Sequence, residues 1–320
     1  MDTRPRHTPR PEQPCSSHGD ASMNDKARLA KAVREAWIGT AAAILVGGLV
    51  AFAGSQGSVA VAGVPAFALA AMLAYGVNWI VFVPSFLART EHYFDLTGSL
   101  TYITVALGSA LLASADARGW LIAALVTIWA VRLGSFLFVR VKQDGRDGRF
   151  DELKISFPRF LMVWTLQGLW VTLTLAAGMA AITSTERAPL GALAWIGVAV
   201  WAFGFVVEAV ADAQKRAFRK REDREKDFIT DGLWAWSRHP NYFGEIVLWA
   251  GIALIAAEVL SGWQWVTMIS PVFVYVLLTR ISGVPLLEAR GKKRWGEDPE
   301  YQAYRRNVPV LWPRPPSAAA

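Results

Sequence analysis

Long apolar blocks recur along the whole chain, and they restrict its fold more than any other feature. Each approaches the ~20 residues that a helix needs to cross a bilayer, and none alternates as a membrane-barrel strand does. Only 18% of the residues are charged and 53% are hydrophobic, which argues against a soluble domain. We therefore predict an all-α, polytopic helical membrane protein with seven to eight transmembrane helices. The blocks cover about residues 36–53, 64–87, 96–114, 119–139, 160–182, 190–211, 242–260 and 263–279.

The positions of the 33 Lys and Arg residues predict how these helices are oriented. With eight spans, thirty of them fall in the two tails and the alternate loops on one side, and two fall in the loops on the other side. Cytoplasmic segments carry such an excess of basic residues. We therefore expect both the N- and C-termini to be cytoplasmic. The net charge of +7 has the same origin, so we expect no nucleic-acid partner.

Composition divides the chain into three parts. Residues 1–25 are polar, basic and rich in proline, and we expect a disordered tail in which Met23 is an alternative start to Met1. Residues 26–182 form an N-terminal transmembrane half. Residues 183–320 form a C-terminal half, which holds most of the unusual polar residues.

Several kinds of site are excluded by motifs that the sequence lacks. Cys15 is its single cysteine, and its four histidines show no metal-binding spacing such as H-x-x-x-H, so we expect no metal. The motifs G-x-G-x-x-G and G-x-x-x-x-G-K-[ST] are absent, which excludes Rossmann and Walker nucleotide sites.

The stretch Asp231–Glu245, D-G-L-W-A-W-S-R-H-P-N-Y-F-G-E, concentrates polar and aromatic residues between two apolar blocks. Pro240 suits the first turn of a helix, and a helix beginning there places Asn241 and Glu245 on one face. Ionisable groups at the mouth of a transmembrane helix are costly and commonly mark functional sites. The alternative is an interfacial loop anchored by its aromatic residues. The candidates here are Arg238, His239, Asn241, Tyr242 and Glu245.

The connector before this stretch begins with a line of charges. Glu208, Asp212, Lys215 and Arg219 follow at steps of four, three and four, so they share a face if the sixth helix extends beyond the membrane. Basic groups above acidic ones can hold a ligand with hydroxyls and phosphates. The alternative is an ordinary basic helix end that extends its side chains to the membrane surface.

The C-terminal tail supplies a third group of candidates. Glu288 follows Pro285, and a helix places Tyr301, Tyr304 and Arg305 on one face. These side chains could close over the same cytoplasmic site. An amphipathic helix at the membrane interface is an equally open interpretation.

Four segments together resemble the steroid 5-alpha-reductase superfamily, specifically its bacterial DUF1295 branch. Sterol C14-reductases share the Q-K-x-x-F-R and R-H-P-N-Y elements, whereas isoprenylcysteine carboxyl methyltransferases share R-H-P-x-Y. A further patch, Y-F-D-L-T-G-S-L-T-Y, lies at Tyr93–Tyr102. The four segments are A-D-A-Q-K-R-A-F-R at Ala211–Arg219, G-L-W-A-W-S-R-H-P-N-Y-F-G-E at Gly232–Glu245, S-G-V-P-L-L-E at Ser282–Glu288 and P-E-Y-Q-A-Y at Pro299–Tyr304.

The resemblance implies an integral-membrane, NADPH-dependent reductase that acts on an activated carbon–carbon double bond of a steroid or other lipid. It also implies a bacterial inner-membrane location, a cytoplasmic cofactor pocket in the C-terminal half and a lipid substrate on the N-terminal side. Lys215 and Arg219 would contact the cofactor phosphates. The cofactor-binding candidates are Asp212, Lys215, Arg219, Trp234, Arg238, His239, Asn241, Tyr242, Glu245, Glu288, Tyr304 and Arg305.

The catalytic acid of the steroid reductases lies in an N-terminal half that this chain does not match. Tyr93, Asp95 and Tyr102 form the polar patch of the present N-terminal half. We take them as catalytic candidates, which could hold a carbonyl oxygen as negative charge develops on it. A polar cap at the start of the third helix is an equally open interpretation.

Two other functions remain open on the sequence. A membrane methyltransferase would use S-adenosylmethionine, which has no phosphates and gives no role to Lys215 and Arg219. A non-catalytic sterol-binding protein would keep the fold, but it has no need for charged residues such as Arg238 and Glu245, which are costly near a membrane. The expected partners are a small lipid or steroid substrate and the membrane lipid.

Overall fold

Long helices make up most of the structure, a computed structural model that describes residues 17–144, 148–221 and 227–316. A two-stranded antiparallel pair, β1 (Ala60–Val61) and β2 (Val64–Pro65), joins the first two helices. The helices are α1 (Ser17–Gly54), α2 (Ala66–Leu87), α3 (Phe94–Leu112), α4 (Ala117–Asp144), α5 (Phe157–Thr183), α6 (Ala192–Lys220), α7 (Pro240–Ala257), α8 (Ile269–Val276), α9 (Gly283–Trp295) and α10 (Pro299–Asn307).

Eight segments of the described chain are long and apolar enough to cross a membrane, which confirms the predicted polytopic helical membrane protein. The eighth runs from Gly262 to Trp295 and combines a 3-10 turn, α8, a π turn and α9. It therefore extends well beyond the apolar block predicted for it. Residues 17–25 of the predicted tail belong to α1, and residues 1–16 lie outside the described residues.

The centre of the bundle is α5, the most enclosed of the eight spans. It packs against α1, α2, α3, α4, α7 and α8. Trp164, Leu175, Met179 and Ile182 are fully buried on it. Its polar Gln167 contacts α3 because the side-chain amide donates to the Phe94 carbonyl over 3.1 Å. This helix holds the two halves of the chain together.

Helices α6 and α7 make the closest helix contact, because glycines at intervals of seven residues face each other. A Cβ on Gly244 would lie 2.6 Å from both the Glu208 nitrogen and the Gly204 oxygen. A Cβ on Gly251 would lie 2.7 Å from the Gly197 oxygen. Small residues let transmembrane backbones approach in this way. The contact brings Glu208 of α6 level with the first turns of α7.

The end of the bundle away from the Asp231–Glu245 stretch is fixed by one arginine. Arg118, at the start of α4, is buried and donates to the Ile255 carbonyl over 2.6 Å and to the Pro189 carbonyl over 2.8 Å. It also forms a 2.7 Å ion pair with Glu258. The beginning of α4 and the end of α7 are therefore joined at this end.

The α6–α7 contact predicts a difference between two helical glycines. Gly244→Ala should lower the free energy of unfolding by about 1–3 kcal/mol, because backbone atoms stand where the methyl group would lie. Gly48→Ala, where nothing lies within 4 Å of the added Cβ, should cause no loss. Melting curves in detergent compare the two variants. Equal stability of both would contradict the close contact.

Candidate functional site

The loop before α7 is fastened to α6 by three features. Gly232 adopts a φ of +59° that favours glycine, and a Cβ there would lie 2.5 Å from the Gln214 side chain. The Gln214 oxygen accepts from the Leu233 amide over 2.9 Å, and the Trp234 indole donates to the Ala211 carbonyl over 3.1 Å. The loop therefore lies on the side of α6 that carries Ala211 and Gln214.

The R-H-P segment that follows is held by the C-terminal tail. The Arg238 amide donates to the Pro309 carbonyl over 2.9 Å, and the Ser237 hydroxyl donates to the Leu311 carbonyl over 2.8 Å. The same hydroxyl accepts from the His239 amide over 3.2 Å. Helix α7 then begins at the proline, as predicted. These bonds hold the backbone of Arg238 and His239 against the tail.

One carboxylate gathers the basic side chains at this end, and we call Arg238, His239, Glu288 and Arg305 the Glu288 cluster. Arg238 donates to Glu288 Oε2 over 2.6 Å, and an Arg305 nitrogen lies 3.2 Å from the same oxygen. His239 Nε2 lies 3.1 Å from Glu288 Oε1. The predicted candidates of the loop and of the tail are thus in contact. The cluster contains two arginines and one carboxylate, so its net charge is positive.

His239 is buried with one ring nitrogen unused. Because a carboxylate only accepts, Nε2 carries the hydrogen towards Glu288 and Nδ1 is an acceptor. Nδ1 is buried and has no hydrogen-bond partner among the described residues. Burial lowers the pKa of His239 below its usual value, and the hydrogen bond to Glu288 opposes this effect. The ring is therefore neutral near pH 7 and offers an acceptor.

The first turn of α7 leaves a second acceptor unused. Asn241 Oδ1 is buried without a partner in the described part of the chain. Tyr242 stacks on His239, with ring centroids 5.6 Å apart and an angle of 12° between the ring planes. On its other side Tyr242 packs on Gly283, where a Cβ would lie 2.8 Å from its ring. Two unused acceptors, Asn241 Oδ1 and His239 Nδ1, thus belong to residues at the start of α7.

The tail helix α10 is anchored by aromatic residues. Tyr301 is buried between Phe228 and Trp295, with ring centroids 5.0 and 5.5 Å away. The Tyr304 hydroxyl donates to the Trp234 carbonyl over 2.8 Å, and burial raises the pKa of this tyrosine. Tyr304 therefore ties α10 to the loop and positions Arg305, the next residue.

Deeper in the bundle lies a second group, Arg132, Glu208, Asp212 and Glu245, which we call the Arg132 cluster. Arg132 of α4 forms an ion pair with Glu208 and a 2.8 Å ion pair with Asp212. The Trp129 indole donates to the other Glu208 oxygen over 3.1 Å. Because ionised side chains in a membrane require partners, these bonds draw α4 towards α6.

Glu245 completes the Arg132 cluster without a direct partner. It interacts electrostatically with Asp212, Arg132 and Glu208, but it makes no hydrogen bond within the described residues. The carboxyl groups of Glu208, Asp212 and Glu245 thus all interact with the single guanidinium of Arg132. The hydrogen-bonding capacity of Glu245 is thus not used by the described residues.

Lys215 and Asp212 point to different sides of α6. Asp212 pairs with Arg132 on α4, whereas the Lys215 amine lies 4.5 Å from the centre of the Trp234 ring. Trp234 is itself buried beneath that amine. Arg219 is exposed one turn further along the helix. The predicted line of charges is therefore shared between the loop before α7 and helix α4.

The three catalytic candidates are not brought together. Tyr93 is exposed at the start of α3, beside His92. Nine residues along a helix correspond to a half-turn of rotation and about 13 Å, so Tyr102 lies on the opposite face. Asp95 shares the face of Tyr102 but lies two turns away. Tyr102 instead packs against Trp129 and Trp249 at centroid distances of 5.0 and 5.8 Å, close to the Arg132 cluster.

The sequence candidates omit three residues that the structure places at the site: Trp129, Arg132 and Trp249. A signal exists for Arg132. Like Glu208 of the predicted line of charges, it is a lone charge inside an apolar block, and such charges commonly pair with each other. Nothing in the sequence indicates that Trp129 and Trp249 meet.

No group of three or more His, Cys, Asp or Glu side chains in residues 17–144, 148–221 and 227–316 is arranged to hold a metal ion.

The fold and site define a polytopic helical membrane protein with a basic polar cluster at one end of its C-terminal helices. Residues 81–308 match the family described as protein of unknown function (DUF1295), so the chain belongs to the DUF1295 family. It is 24% identical over 231 residues to Uncharacterized protein C594.04c of Schizosaccharomyces pombe. That match covers 62% of this chain and 64% of the relative's length. No solved structure matches the chain.

The Arg132 cluster predicts a large effect of removing its only base. Arg132→Gln should lower the free energy of unfolding by about 3–5 kcal/mol, because it leaves buried carboxylates unpaired. Adding Glu208→Gln should recover part of the loss. Arg187→Gln, which breaks a half-exposed 3.6 Å pair with Asp116, should cost about 1 kcal/mol or less. Melting curves of the four proteins test this, and no recovery in the double variant would contradict the pairing.

The buried His239 predicts a pH dependence of stability. Its folded pKa lies below the ordinary value of about 6.5, so the unfolded chain takes up a proton first as the pH falls. The stabilisation is present above pH ~6.5 and is lost on acidification below it. His239→Gln should reduce the fall in melting temperature between pH ~7.5 and ~5.5, and His92→Gln should not. An unchanged fall in His239→Gln would refute this assignment.

Proposed function

We propose that the protein is an integral-membrane, NADPH-dependent reductase of an activated carbon–carbon double bond in a lipid. The four motif segments support the proposal through their resemblance to the steroid 5-alpha-reductase superfamily. In the folded chain these segments meet, since residues of the Gly232–Glu245, Ser282–Glu288 and Pro299–Tyr304 segments contact one another.

The observation that carries the proposal is the unused hydrogen-bonding capacity of the motif residues. His239 Nδ1 and Asn241 Oδ1 are buried acceptors without partners in the described chain. Glu245, one turn from Asn241, makes no hydrogen bond within the same residues. Buried polar atoms are normally satisfied, so several unsatisfied ones in one place point to a ligand with donors. Ribose hydroxyls and a carboxamide amine are such donors.

The charges at this end also fit the cofactor. Lys215, Arg219, Arg238 and Arg305 are the basic candidates for the pyrophosphate and the 2′-phosphate, which Arg and Lys bind well. Arg238 and Arg305 each retain an Nε hydrogen without a partner in the described residues. The excess of basic residues at this end supports a cytoplasmic location, where NADPH is found.

Bound NADPH would supply a hydride for the β carbon of the alkene. The protein's contribution is to orient the reactants and to exclude water between packed helices. Tyr102 is the retained candidate for holding the carbonyl oxygen of an enone, because its hydroxyl lies in the interior near Thr174 and Glu245. A hydrogen bond from this hydroxyl would stabilise negative charge as it develops on that oxygen.

A ligand-binding experiment tests the proposal first. NADPH should raise the melting temperature of the detergent-purified protein, because it binds only the folded state. NADH should raise it less, and S-adenosylmethionine should leave it unchanged. A rise with S-adenosylmethionine alone would replace the proposal with a methyltransferase.

Glu245→Gln gives the matching site variant. It should keep the melting temperature, since it removes a carboxylate that lies near two others. It should weaken NADPH binding roughly tenfold or more, because hydrogen bonds to charged groups contribute about 1.5–3 kcal/mol. Glu186→Gln, at an exposed position in the loop before α6, is the control. Wild-type affinity in Glu245→Gln would remove Glu245 from the site.

A further inference from the structure

Helices α4 and α6 leave a groove between them at the end that carries the Glu288 cluster. Its volume is about 570 Å³. Arg132, Phe136 and Val139 line it from α4, and Asp212, Arg216 and Lys220 line it from α6. Side chains connect the two helices at the inner end of the groove, where Arg132 pairs with Glu208 and, over 2.8 Å, with Asp212. Both helices are among the eight segments long and apolar enough to cross a membrane, so the groove lies between two spans.

The groove has two basic residues at its outer end and mostly apolar residues along its walls. Arg216 and Lys220 lie one turn apart at the outer end of α6, and both are exposed. The Arg216 guanidinium lies 4.8 Å from the centre of the Phe136 ring, which holds it over the groove. Most of the remaining wall is apolar, with Phe136 and Val139 on α4 and small residues such as Ala213 and Ala217 on α6. A bilayer lipid combines the same features, an anionic phosphate and an apolar chain.

The groove shares Asp212 with the cofactor-binding candidates, but its basic residues are different ones. Arg216 and Lys220 follow Asp212 at steps of four and face α4. Lys215, in contrast, lies against Trp234 on the side of the loop before α7. On α6, Arg216 and Lys220 therefore face α4, whereas Lys215 faces the loop before α7.

A second polar feature lies at the inner level of the groove. The Arg132 Nε atom is buried and has no hydrogen-bond partner in the described chain, and Ser135 lines the groove beside it. Below this level the apolar Val206, seven residues before Ala213 and so on the same face of α6, is exposed. Ester carbonyls of a lipid would lie at the level of the donors, with the acyl chains beyond them.

We propose that this groove binds an anionic phospholipid of the bilayer. The phosphate lies between Arg216 and Lys220, and an acyl chain lies between α4 and α6. Basic side chains near a membrane surface attract anionic lipids, and a cleft of this volume accommodates part of such a molecule. A soluble anion would gain nothing from the apolar wall of Val139 and Ala213.

Native mass spectrometry of the delipidated protein tests the proposal. Phosphatidylglycerol and phosphatidylcholine with identical acyl chains are added in equal amounts. Wild-type protein should retain phosphatidylglycerol preferentially, and the double variant Arg216→Ala/Lys220→Ala should bind it about tenfold more weakly. The double variant Lys292→Ala/Lys293→Ala removes the same charge at exposed positions of α9 and should bind like wild type. Equal binding by both double variants would overturn the proposal.

Two further measurements distinguish lipid binding in the groove from binding at the cofactor site or elsewhere on the protein surface. Ala213→Trp fills the groove without changing its charge and should also reduce phosphatidylglycerol binding, and unchanged binding would refute the acyl-chain position. The Arg216→Ala/Lys220→Ala variant should keep the wild-type rise in melting temperature with NADPH. If that rise is lost while phosphatidylglycerol binding persists, the groove belongs to the cofactor site and the lipid proposal is wrong.

Discussion

The backbone contact between α6 and α7 is the constraint on which the C-terminal half depends. Because glycines replace side chains along the contact, the two helices approach until Glu208 lies against Gly244. Carboxyl groups of both helices then lie at one level inside an apolar bundle. Such charges are stable only when they are compensated, and α4 supplies Arg132 for this purpose. The close packing of α6 on α7 thereby helps to determine the position of α4.

A different principle organises the outer end of the same helices. There the segments are too polar to pack as helices in lipid, and a single acid, Glu288, connects them by accepting from two arginines and a histidine. The backbone bond from the Arg238 amide to the Pro309 carbonyl and the bond from the Tyr304 hydroxyl to the Trp234 carbonyl add rigidity without using the charged atoms. The side chains of the Glu288 cluster are therefore held in place, while Arg238 Nε, His239 Nδ1 and Arg305 Nε have no hydrogen-bond partner among the described residues.

Much of the fold could be predicted because long apolar runs in a membrane protein have one dominant solution, the helix. The start of α7 followed from Pro240, whose backbone suits a first helical turn. Local rules could not place Tyr102 beside Trp249, since that contact depends on how four helices pack. They also grouped Tyr93 with Tyr102 because the two are close in sequence, although a half-turn of rotation separates them. The extension of the last span to Trp295 was missed because α9 is amphipathic.

The buried Arg118 at the opposite end has a mechanical consequence. It joins α4 to the end of α7, whereas further along α4 the contact with α6 is made by side chains, Arg132 with Glu208 and Asp212. Arg132 lies fourteen residues further along α4, roughly 21 Å from that joint. A tilt of about 5° about the joint would move Arg132 by about 2 Å, which is enough to break a hydrogen bond. A small rotation of α4 about Arg118 would therefore change the Arg132–Asp212 contact more than the contacts close to Arg118.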